Sequence, residues 1–377
     1  MQLTPEILQY IDSHSEEAYQ LLLGLARIPA PSNYEEQRAE FCCRWLRQQG
    51  AEGVYIDDAL NVVYPIGCTE DNPLVVFMAH SDVVFPDTEP LPLTVDDGKI
   101  FCPGVGDDTA NAVALLVTAQ YIAQQRLRPR DCGVLLVINS GEEGLGNLKG
   151  TRHLMEVYGS RVREFITFDL YASQIVDQAV GSHRYSIEIH TEGGHSYNAF
   201  GNRNAIAAMA ELISRLYAAE LPPEGKTTYN VGTICGGTSV NTIAQRSEML
   251  YEFRSDCRDS LAAMERQFEA VIDDFRVRGF DVRVNVVGMR PCSGGVDEGR
   301  HQALKDRAAE AIRRHYGLDV LFSSGSTDCN LPLSLGIPAI CVGCVVGGGA
   351  HTREEYVEID SLRPGLGVAF DLILHHF

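Results

Sequence analysis

The sequence lacks an apolar run long enough to cross a membrane. Every stretch of about 18 residues, the length that a transmembrane helix needs, is interrupted by charge. The first residues, MQLTPEILQYIDSHSEE, are acidic where a secretory signal would be basic and then apolar. We therefore expect a cytoplasmic protein that does not associate with membranes.

Positive charge is scarce. The 377 residues include 31 Lys and Arg against 51 Asp and Glu, for a formal net charge of -20. Nucleic acids and anionic membrane surfaces bind cationic faces, so we expect neither as a partner. An excess of acid suits a site that attracts divalent cations, although solubility explains it equally well.

Two further signatures are missing. The chain has no G-x-G-x-x-G after its first strand and no P-loop lysine, which argues against a nucleotide-binding α/β protein. Its eleven cysteines are odd in number and scattered, so we expect reduced, mostly buried thiols rather than a disulfide framework. The one C-x-x-C pair, Cys341 and Cys344, lacks a second pair to complete a zinc site, and we expect it to be structural.

Length and pattern predict two domains. A chain of 377 residues exceeds what one core usually holds. Over residues 1–181 and 290–377, apolar runs alternate with helical segments, which predicts an α/β catalytic domain with a doubly wound mixed sheet. Residues 182–289 follow the order βαββαβ with alternating strands, which predicts an inserted ferredoxin-like α+β domain, a lid that could also form a dimer.

Five side chains that can bind metal are placed beside apolar runs or glycine turns. The carboxyl ends of strands are where α/β proteins build their sites, and four of the five follow strand-like runs directly. Two imidazoles and three carboxylates predict a two-metal hydrolase centre. The five are His80 after VVFMA, Asp107 in PGVGDD, Glu143 after GVLLVINSGE, Asp169 after EFITF, and His351 after ICVGCVVGGGA.

Each of these residues alone has a simpler interpretation. An acid at a helix start is usually an N-cap, which is the favoured interpretation of Asp108 and an open one for Asp107. Asp169 is either a ligand or a cap. Glu142 and Glu143 are either exposed loop residues or a buried pair that needs a cation or proton, in which case one could bind metal while the other relays a proton.

Two neighbouring features favour the metal interpretation. Strand residues i and i+2 point the same way, so Asp82 could hold the second imidazole N–H of His80 and fix its tautomer. The glycine run before His351 predicts a flexible loop, and its N–H groups, including those of Gly348 and Gly349, could hold a substrate oxygen.

The joint order of these motifs resembles a known family. Over nearly its full length the chain is similar to the co-catalytic zinc family that includes peptidase T, acetylornithine deacetylase, succinyl-diaminopimelate desuccinylase, glutamate carboxypeptidase and aminoacylase. The matching segments are MAHSDVV, PGVGDDTANAVALL, NSGEEGLGNLKG, GGHSYNAFGNRNA, GGTSVNTIA, YEFRS, SGSTDCNLPLSLGIPA and GGGAHTREEYV.

The resemblance implies two divalent metal ions bridged by Asp107. His80 and Asp169 would complete one metal site, and Glu143 and His351 the other. Zinc is the expected ion, although manganese and cobalt accept the same ligands.

The resemblance also implies roles outside the metal ligands. Glu142 matches the general base, and Asp82 the hydrogen-bond partner of the first histidine ligand. His195 matches a histidine that stabilises the oxyanion, which the neighbouring subunit supplies in dimeric members. Asn241 and Arg254 match groups that bind the substrate, and a cation suits a substrate carboxylate.

The expected reaction is hydrolysis of an amide bond in a short peptide or an N-acyl amino acid. The acid at position 169 is shared with peptidase T-like and acetylornithine deacetylase-like members, and exopeptidase and deacylase both remain open. The chain departs from the family at Thr109, where members often carry lysine, and Arg258 stands close to Arg254. The alternative is a non-catalytic binding or assembly relative that kept the fold.

Overall fold

The computed structural model describes residues 2–144 and 146–377. Its helices are α1 (Pro5–Ala26), α2 (Glu36–Gln48), α3 (Ala110–Gln124), α4 (Lys149–Tyr158), α5 (Ala205–Leu216), α6 (Arg258–Val277), α7 (Glu298–Tyr316), α8 (Asn330–Ser334) and α9 (Leu362–Leu374). Its strands are β1 (Tyr55–Ile56), β2 (Val62–Ile66), β3 (Leu74–His80), β4 (Thr94–Asp96), β5 (Lys99–Phe101), β6 (Gly133–Asn139), β7 (Val162–Phe168), β8 (Gln174–Ala179), β9 (Gly181–His190), β10 (Gly194–His195), β11 (Thr227–Gly236), β12 (Thr242–Ile243), β13 (Arg246–Ser255), β14 (Asp281–Arg290), β15 (Leu321–Gly325), β16 (Ala339–Val342), β17 (Gly347–Gly348) and β18 (Tyr356–Glu358).

The chain forms two compact units. The first comprises Met1–Gln178 and Gly295–Phe377, and the second comprises Ala179–Gly294. Each unit has its own buried hydrophobic core. Because the second unit begins and ends inside the first, it is an insertion in the sequence.

The first unit is built on a mixed eight-stranded sheet, which confirms the mixed α/β class. The strand order is β1-β2-β6-β3-β7-β16-β8-β15. Strands β6, β3, β7 and β16 are mutually parallel, whereas β1, β2 and β8 pair antiparallel with their neighbours. All residues of β3 and β6 are buried, since parallel strands are covered on both faces.

The order of these parallel strands creates a switch point beside β3. The chain runs from β3 to β6 on one side and then to β7 on the other side of β3. Ligands in α/β sheets bind outside the carboxyl ends of strands at such a point. The sheet topology therefore predicts a ligand site at the residues that follow His80, Asn139 and Phe168, where β3, β6 and β7 end.

The second unit is an antiparallel sheet packed on two helices. The sheet order is β11-β13-β9-β14, and its elements follow one another as β9, α5, β11, β13, α6 and β14 apart from the short pair β10 and β12. Buried and partly exposed residues alternate along β9 and β13, because one face of each strand packs on a core that includes Met209, Leu212 and Phe268.

Local sequence accounts for one helix start, and one local expectation is wrong. Helix α1 begins at Pro5, where the Thr4 side chain accepts a hydrogen bond from Ile7 N at 3.4 Å and Pro5 occupies the first turn. The glycine segment before His351 is not an open loop, because Gly347–Gly348 form strand β17 against β18. A Cβ on Gly347 would lie 2.3 Å from the Tyr356 carbonyl oxygen, so only glycine permits this pairing.

The cysteines agree with the expectation of reduced, mostly buried thiols. The eleven thiols are free, and Cys341 and Cys344 are fully buried, which raises the pKa of both thiols well above its ordinary value. In the described part of the chain, no helix combines the length and apolar character needed to span a membrane.

Candidate metal centre

Strand ends bring the predicted ligands together. His80 is the last residue of β3, and Asp169 directly follows β7. Glu142 and Glu143 lie a few residues after β6, which pairs in parallel with β3. The carboxyl edge of the sheet therefore carries these side chains, as the sequence pattern indicated.

Asp107 lies between the two histidines. Its Oδ1 is 3.0 Å from Nε2 of His80, and its Oδ2 is 3.2 Å from Nε2 of His351. His351 Nε2 is also 3.2 Å from Oε1 of Glu143. Asp169 Oδ1 lies 4.0 Å from His80 Nε2. One oxygen of the Asp107 carboxylate therefore faces His80, and the other oxygen faces His351.

Glu355 shapes the loop that carries Asp107, and sequence reasoning missed it. Its buried carboxylate accepts hydrogen bonds from the main-chain N–H groups of Gly104 at 2.7 Å, Gly106 at 2.8 Å and Asp107 at 2.8 Å. Gly104 adopts a positive φ of 74°, and a Cβ there would meet Val83 Cγ1 at 2.2 Å. The segment GGGAHTREEYV contains Glu355, but nothing in the local pattern indicates a partner so distant in sequence.

Asp82 joins His80 to the glutamate pair. The Nδ1 atom of His80 lies 3.0 Å from the Asp82 main-chain oxygen and 3.4 Å from its carboxylate. The same carboxylate accepts hydrogen bonds from the main-chain N–H groups of Glu142 at 2.9 Å and Glu143 at 3.0 Å, and from Ser32 Oγ at 2.7 Å. Asp82 therefore faces the imidazole as expected, and it also fixes the turn that presents both glutamates.

The N-cap interpretation of Asp108 is wrong. Helix α3 begins at Ala110, and the fully buried Asp108 instead accepts a hydrogen bond from the main-chain N–H of His80 at 2.8 Å. A short-range pattern favoured the cap because the chain does enter a helix here. The carboxylate is drawn to the neighbouring strand because that N–H lies at the end of β3 and needs a buried acceptor.

Arg38 supplies a buried cation beside Thr109, the position at which the resemblance leads us to expect lysine. Arg38 is 1% exposed, and its guanidinium donates hydrogen bonds to the Ser81 carbonyl oxygen at 2.9 Å and to Thr109 Oγ1 at 3.1 Å. It also donates to the Ile28 carbonyl oxygen at 2.8 Å. Arg38 therefore ties the His80 strand end to the helix start after Asp107.

The donor set fits divalent cations. Donor atoms of His80, Asp107 and Glu143 lie within 4.8 Å of one another, as do those of His80, Asp108 and Asp169. Burial raises the pKa of Glu143 to about 7, and the charge of Asp107 adds to this shift. Burial and the Asp107 charge likewise raise the pKa of Asp169 well above its ordinary value. These buried carboxylates need positive charge to ionise, and imidazole with carboxylate is a donor set that divalent cations accept.

The second unit holds the remaining expected residues in two separate places. His195 pairs with Thr242 across β10 and β12, and Ser196 N donates to the Asn241 carbonyl oxygen at 2.9 Å, so His195 and Asn241 are neighbours. Arg254 lies near the end of β13, opposite Ser182, and donates two hydrogen bonds to Glu252, each at 3.0 Å. The structure does not bring Arg254 to the other two within this unit.

A model of peptidase family M20/M25/M40 matches residues 76–375. The chain belongs to this family. M20 relatives are metallopeptidases and amidohydrolases, so the protein is an enzyme and not the non-catalytic relative considered above. The M20 family depends on a dinuclear metal centre, and the His, Asp and Glu cluster described here has suitable donors.

Individual M20 relatives cover nearly the whole chain. Succinyl-diaminopimelate desuccinylase of Corynebacterium glutamicum is 25% identical over 352 residues, 90% of this chain and 91% of that enzyme. A tripeptidase from Staphylococcus aureus superposes with a TM-score of 0.75 at 24% identity, covering 95% of this chain and 97% of that one. The Bacillus subtilis YXEP protein, described as a dinuclear metal binding peptidase, gives a TM-score of 0.66 at 19% identity, with coverage of 97% and 100%.

Proposed function

We propose that this M20 enzyme hydrolyses an amide bond in a short peptide or an N-acyl amino acid, with Glu142 as general base. The observation that supports the proposal most is the position of Asp107, whose two carboxylate oxygens contact His80 and His351 on opposite sides. A carboxylate shared in this way suits a pair of cations a few ångströms apart.

Five side chains would hold the two ions, with Asp107 between them. His80 and Asp169 would serve one ion, and Glu143 and His351 the other. We propose zinc, and the same imidazole and carboxylate donors accept manganese or cobalt. When bound, such a cation pair lowers the pKa of a water molecule and polarises the scissile carbonyl.

Glu142 is the residue that we propose moves the proton. Its main-chain N–H donates a hydrogen bond to Asp82, and the residue is only 5% exposed, which supports a position beside the proposed ligand Glu143 with little access to bulk water. In the proposed reaction Glu142 accepts the proton of the attacking water and then donates it to the departing amine. Glu143, the adjacent acid, faces His351 instead.

Residues of the second unit would bind the substrate and its oxyanion. We propose that His195 donates to the developing oxyanion and that Asn241 and Arg254 bind the substrate, with Gly348 and Gly349 contributing main-chain N–H groups. Arg254 lies about eight residues along β13 from Arg246, or roughly 27 Å at the rise of an antiparallel strand, whereas His195 and Asn241 lie near the Arg246 end. A short substrate cannot span that length, which supports a homodimer in which the partner supplies His195 and Asn241.

The relatives differ in the class of substrate that their names give. The desuccinylase acts on an acylated amino acid by its name, and the tripeptidase on a peptide. The protein should be dialysed against zinc, manganese or cobalt, and the metal content per chain measured. The same sample should then be assayed with tripeptides, dipeptides, N-acetyl amino acids and N-succinyl amino acids. We expect about two equivalents of metal with turnover of one of these classes.

Glu142→Gln tests the mechanism. We expect the variant to keep its metal and to lose turnover by roughly 10²- to 10⁴-fold, the usual contribution of a general base. Glu70→Gln, which alters an exposed glutamate in the first unit, is the matched control and should keep full activity. Unchanged turnover in Glu142→Gln would show that the residue is not the base.

A further inference from the structure

A polar cavity lies at the edge of the first unit's sheet opposite the metal centre. It has a volume of about 500 Å³ and is lined where β6 and β7 begin, by α7 and by the chain after α9. Because β6 and β7 end at the metal centre, the seven-residue length of β7 places the cavity roughly 20 Å from that centre. The two sites are therefore separate.

The lining of this cavity is cationic in a chain that is otherwise acidic. Two carboxylates, Asp131 and Glu164, face it, and Asp131 is exposed. The cationic or ionisable groups are Arg130, Arg163, Arg300, Arg307, His375 and His376. Since the whole chain carries a net charge of -20, such a concentration of arginine is a local departure from its surface.

Main-chain contacts hold two of the arginines without neutralising them. Arg130 Nη2 donates to the His375 carbonyl oxygen at 3.0 Å, and Arg300 Nη2 donates to the Arg163 carbonyl oxygen at 2.6 Å. A carbonyl oxygen fixes a guanidinium but leaves its net charge uncompensated. Both groups therefore keep further donors for an anion.

One carboxylate serves two of the remaining basic groups. Glu164 accepts a hydrogen bond from Arg307 and lies 3.3 Å from Nε2 of His376. His376 is 8% exposed and is held edge-on to Phe77, with ring centroids 5.7 Å apart. Within the described residues, Arg307 Nε is buried without a hydrogen-bond partner.

Nearby positive charge contributes to the pKa of the neighbouring histidine. Burial, together with the charges of Arg307 and His376, lowers the pKa of His375 to about 4. Burial lowers the pKa of a histidine whatever the sign of nearby charge, so only the smaller contribution of Arg307 and His376 agrees with a cationic lining.

We propose that this cavity binds a small phosphate-bearing anion. Guanidinium groups present paired donors that match phosphate oxygens, and about 500 Å³ is the size of a small-molecule site. Inorganic phosphate and a phosphorylated small molecule share the recognised group, and the affinities of phosphate and glycerol 3-phosphate distinguish them.

Calorimetric titration of the metal-loaded enzyme with each compound, at an ionic strength balanced with sodium chloride, tests the site. We expect saturable binding that Arg163→Gln and Arg300→Gln each weaken by roughly tenfold, the effect of losing one charge-assisted contact. Tighter binding of glycerol 3-phosphate than of phosphate would assign a phosphorylated molecule, and the reverse order would assign free phosphate.

Arg128→Gln is the matched control. Arg128 is exposed, lies two positions before Arg130 and does not line the cavity, so its variant should bind as the wild type does. Arg300 is exposed, so its variant should fold even where Arg163→Gln fails to do so. Absence of binding by the wild type would overturn the proposal. Equal affinity of the Arg300→Gln variant and the wild type would also overturn it, and this is the result expected if phosphate binds only at the metal centre.

Discussion

Single carboxylates outside the metal ligands organise the centre by accepting main-chain hydrogen bonds. Asp82 binds the N–H groups of Glu142 and Glu143, and Glu355 binds those of the loop before Asp107. Although burial disfavours its charge, hydrogen bonds with His80 and Ser32 keep the pKa of Asp82 below its ordinary value. An ionised acceptor in a buried position fixes a loop more firmly than a neutral one does.

His375 should make stability depend on pH. Its pKa falls from an ordinary value of 6.5 to about 4 because of burial and the charges of Arg307 and His376, while Glu164 acts in the opposite direction. Between pH 6.5 and 4 this histidine is protonated in the unfolded chain but neutral in the folded chain. Acidification therefore lowers the free energy of unfolding: the full stability is present above pH 6.5 and is lost progressively as the pH falls towards 4.

Urea unfolding tests this pH dependence of stability. The midpoints of wild type and His375→Gln should be measured from pH 7.5 down to pH 4 in phosphate-free buffer. We expect the difference between them to shift in favour of the variant on acidification. His153→Gln, on α4 and outside the cavity, is the control. A difference between wild type and His375→Gln that stays constant over this range would contradict the expectation.

The sequence predicted ligands better than the residues that support them. His80 and Asp169 follow continuous apolar runs, which mark buried parallel strands in the sequence itself. Arg38 and Glu355 carry no such mark, since they meet Thr109 and Gly104 across 71 and 251 positions of sequence. Contacts of that range depend on the tertiary fold, which local patterns do not encode.

At the scale of elements, the loop before Asp107 depends on an antiparallel strand from the far end of the chain. Strand β18 pairs with β5, and the residue that precedes β18, Glu355, reaches the N–H groups of Gly104, Gly106 and Asp107. The short strands β4, β5 and β17 carried too little periodicity to be predicted, and the glycines of β17 indicated a loop. The element that positions the proposed bridging ligand was therefore outside the reach of sequence patterns.

Replacing Glu355 by Gln should loosen this loop. The amide keeps one acceptor oxygen but turns an NH₂ group toward main-chain N–H donors, and a buried donor left without a partner costs about 1–3 kcal/mol. We expect a lower melting temperature and weaker metal retention on dialysis, measured by calorimetry and metal analysis. Glu354→Gln, at the exposed neighbouring position, should change neither. Equal behaviour of the two variants would show that Glu355 does not hold the loop.

At the scale of the molecule, the inserted unit is compact and its two connections to the first unit leave it side by side. Its first strand, β9, and its last, β14, pair antiparallel, with Ser182 opposite Arg290, so both connections leave the same end of one sheet. Sequence periodicity predicted this unit because its half-buried strands alternate, as in β9. Its proposed role as a lid and dimer interface came from resemblance and stays a prediction.

Two inactive chains should restore each other if His195 acts on the partner's site. Neither Glu142→Gln nor His195→Ala should turn over substrate alone, but a mixed dimer would combine an intact Glu142 with an intact His195 in one of its two sites. Random assortment of equal amounts should therefore recover about a quarter of wild-type activity, as expected for a two-fold dimer. Coexpression with two affinity tags isolates the mixed dimers, and light scattering gives their mass. If purified mixed dimers stay inactive, His195 acts within its own chain. Arg254 could then not bind the same short substrate, because roughly 27 Å of β13 separate it from the end of the sheet near His195.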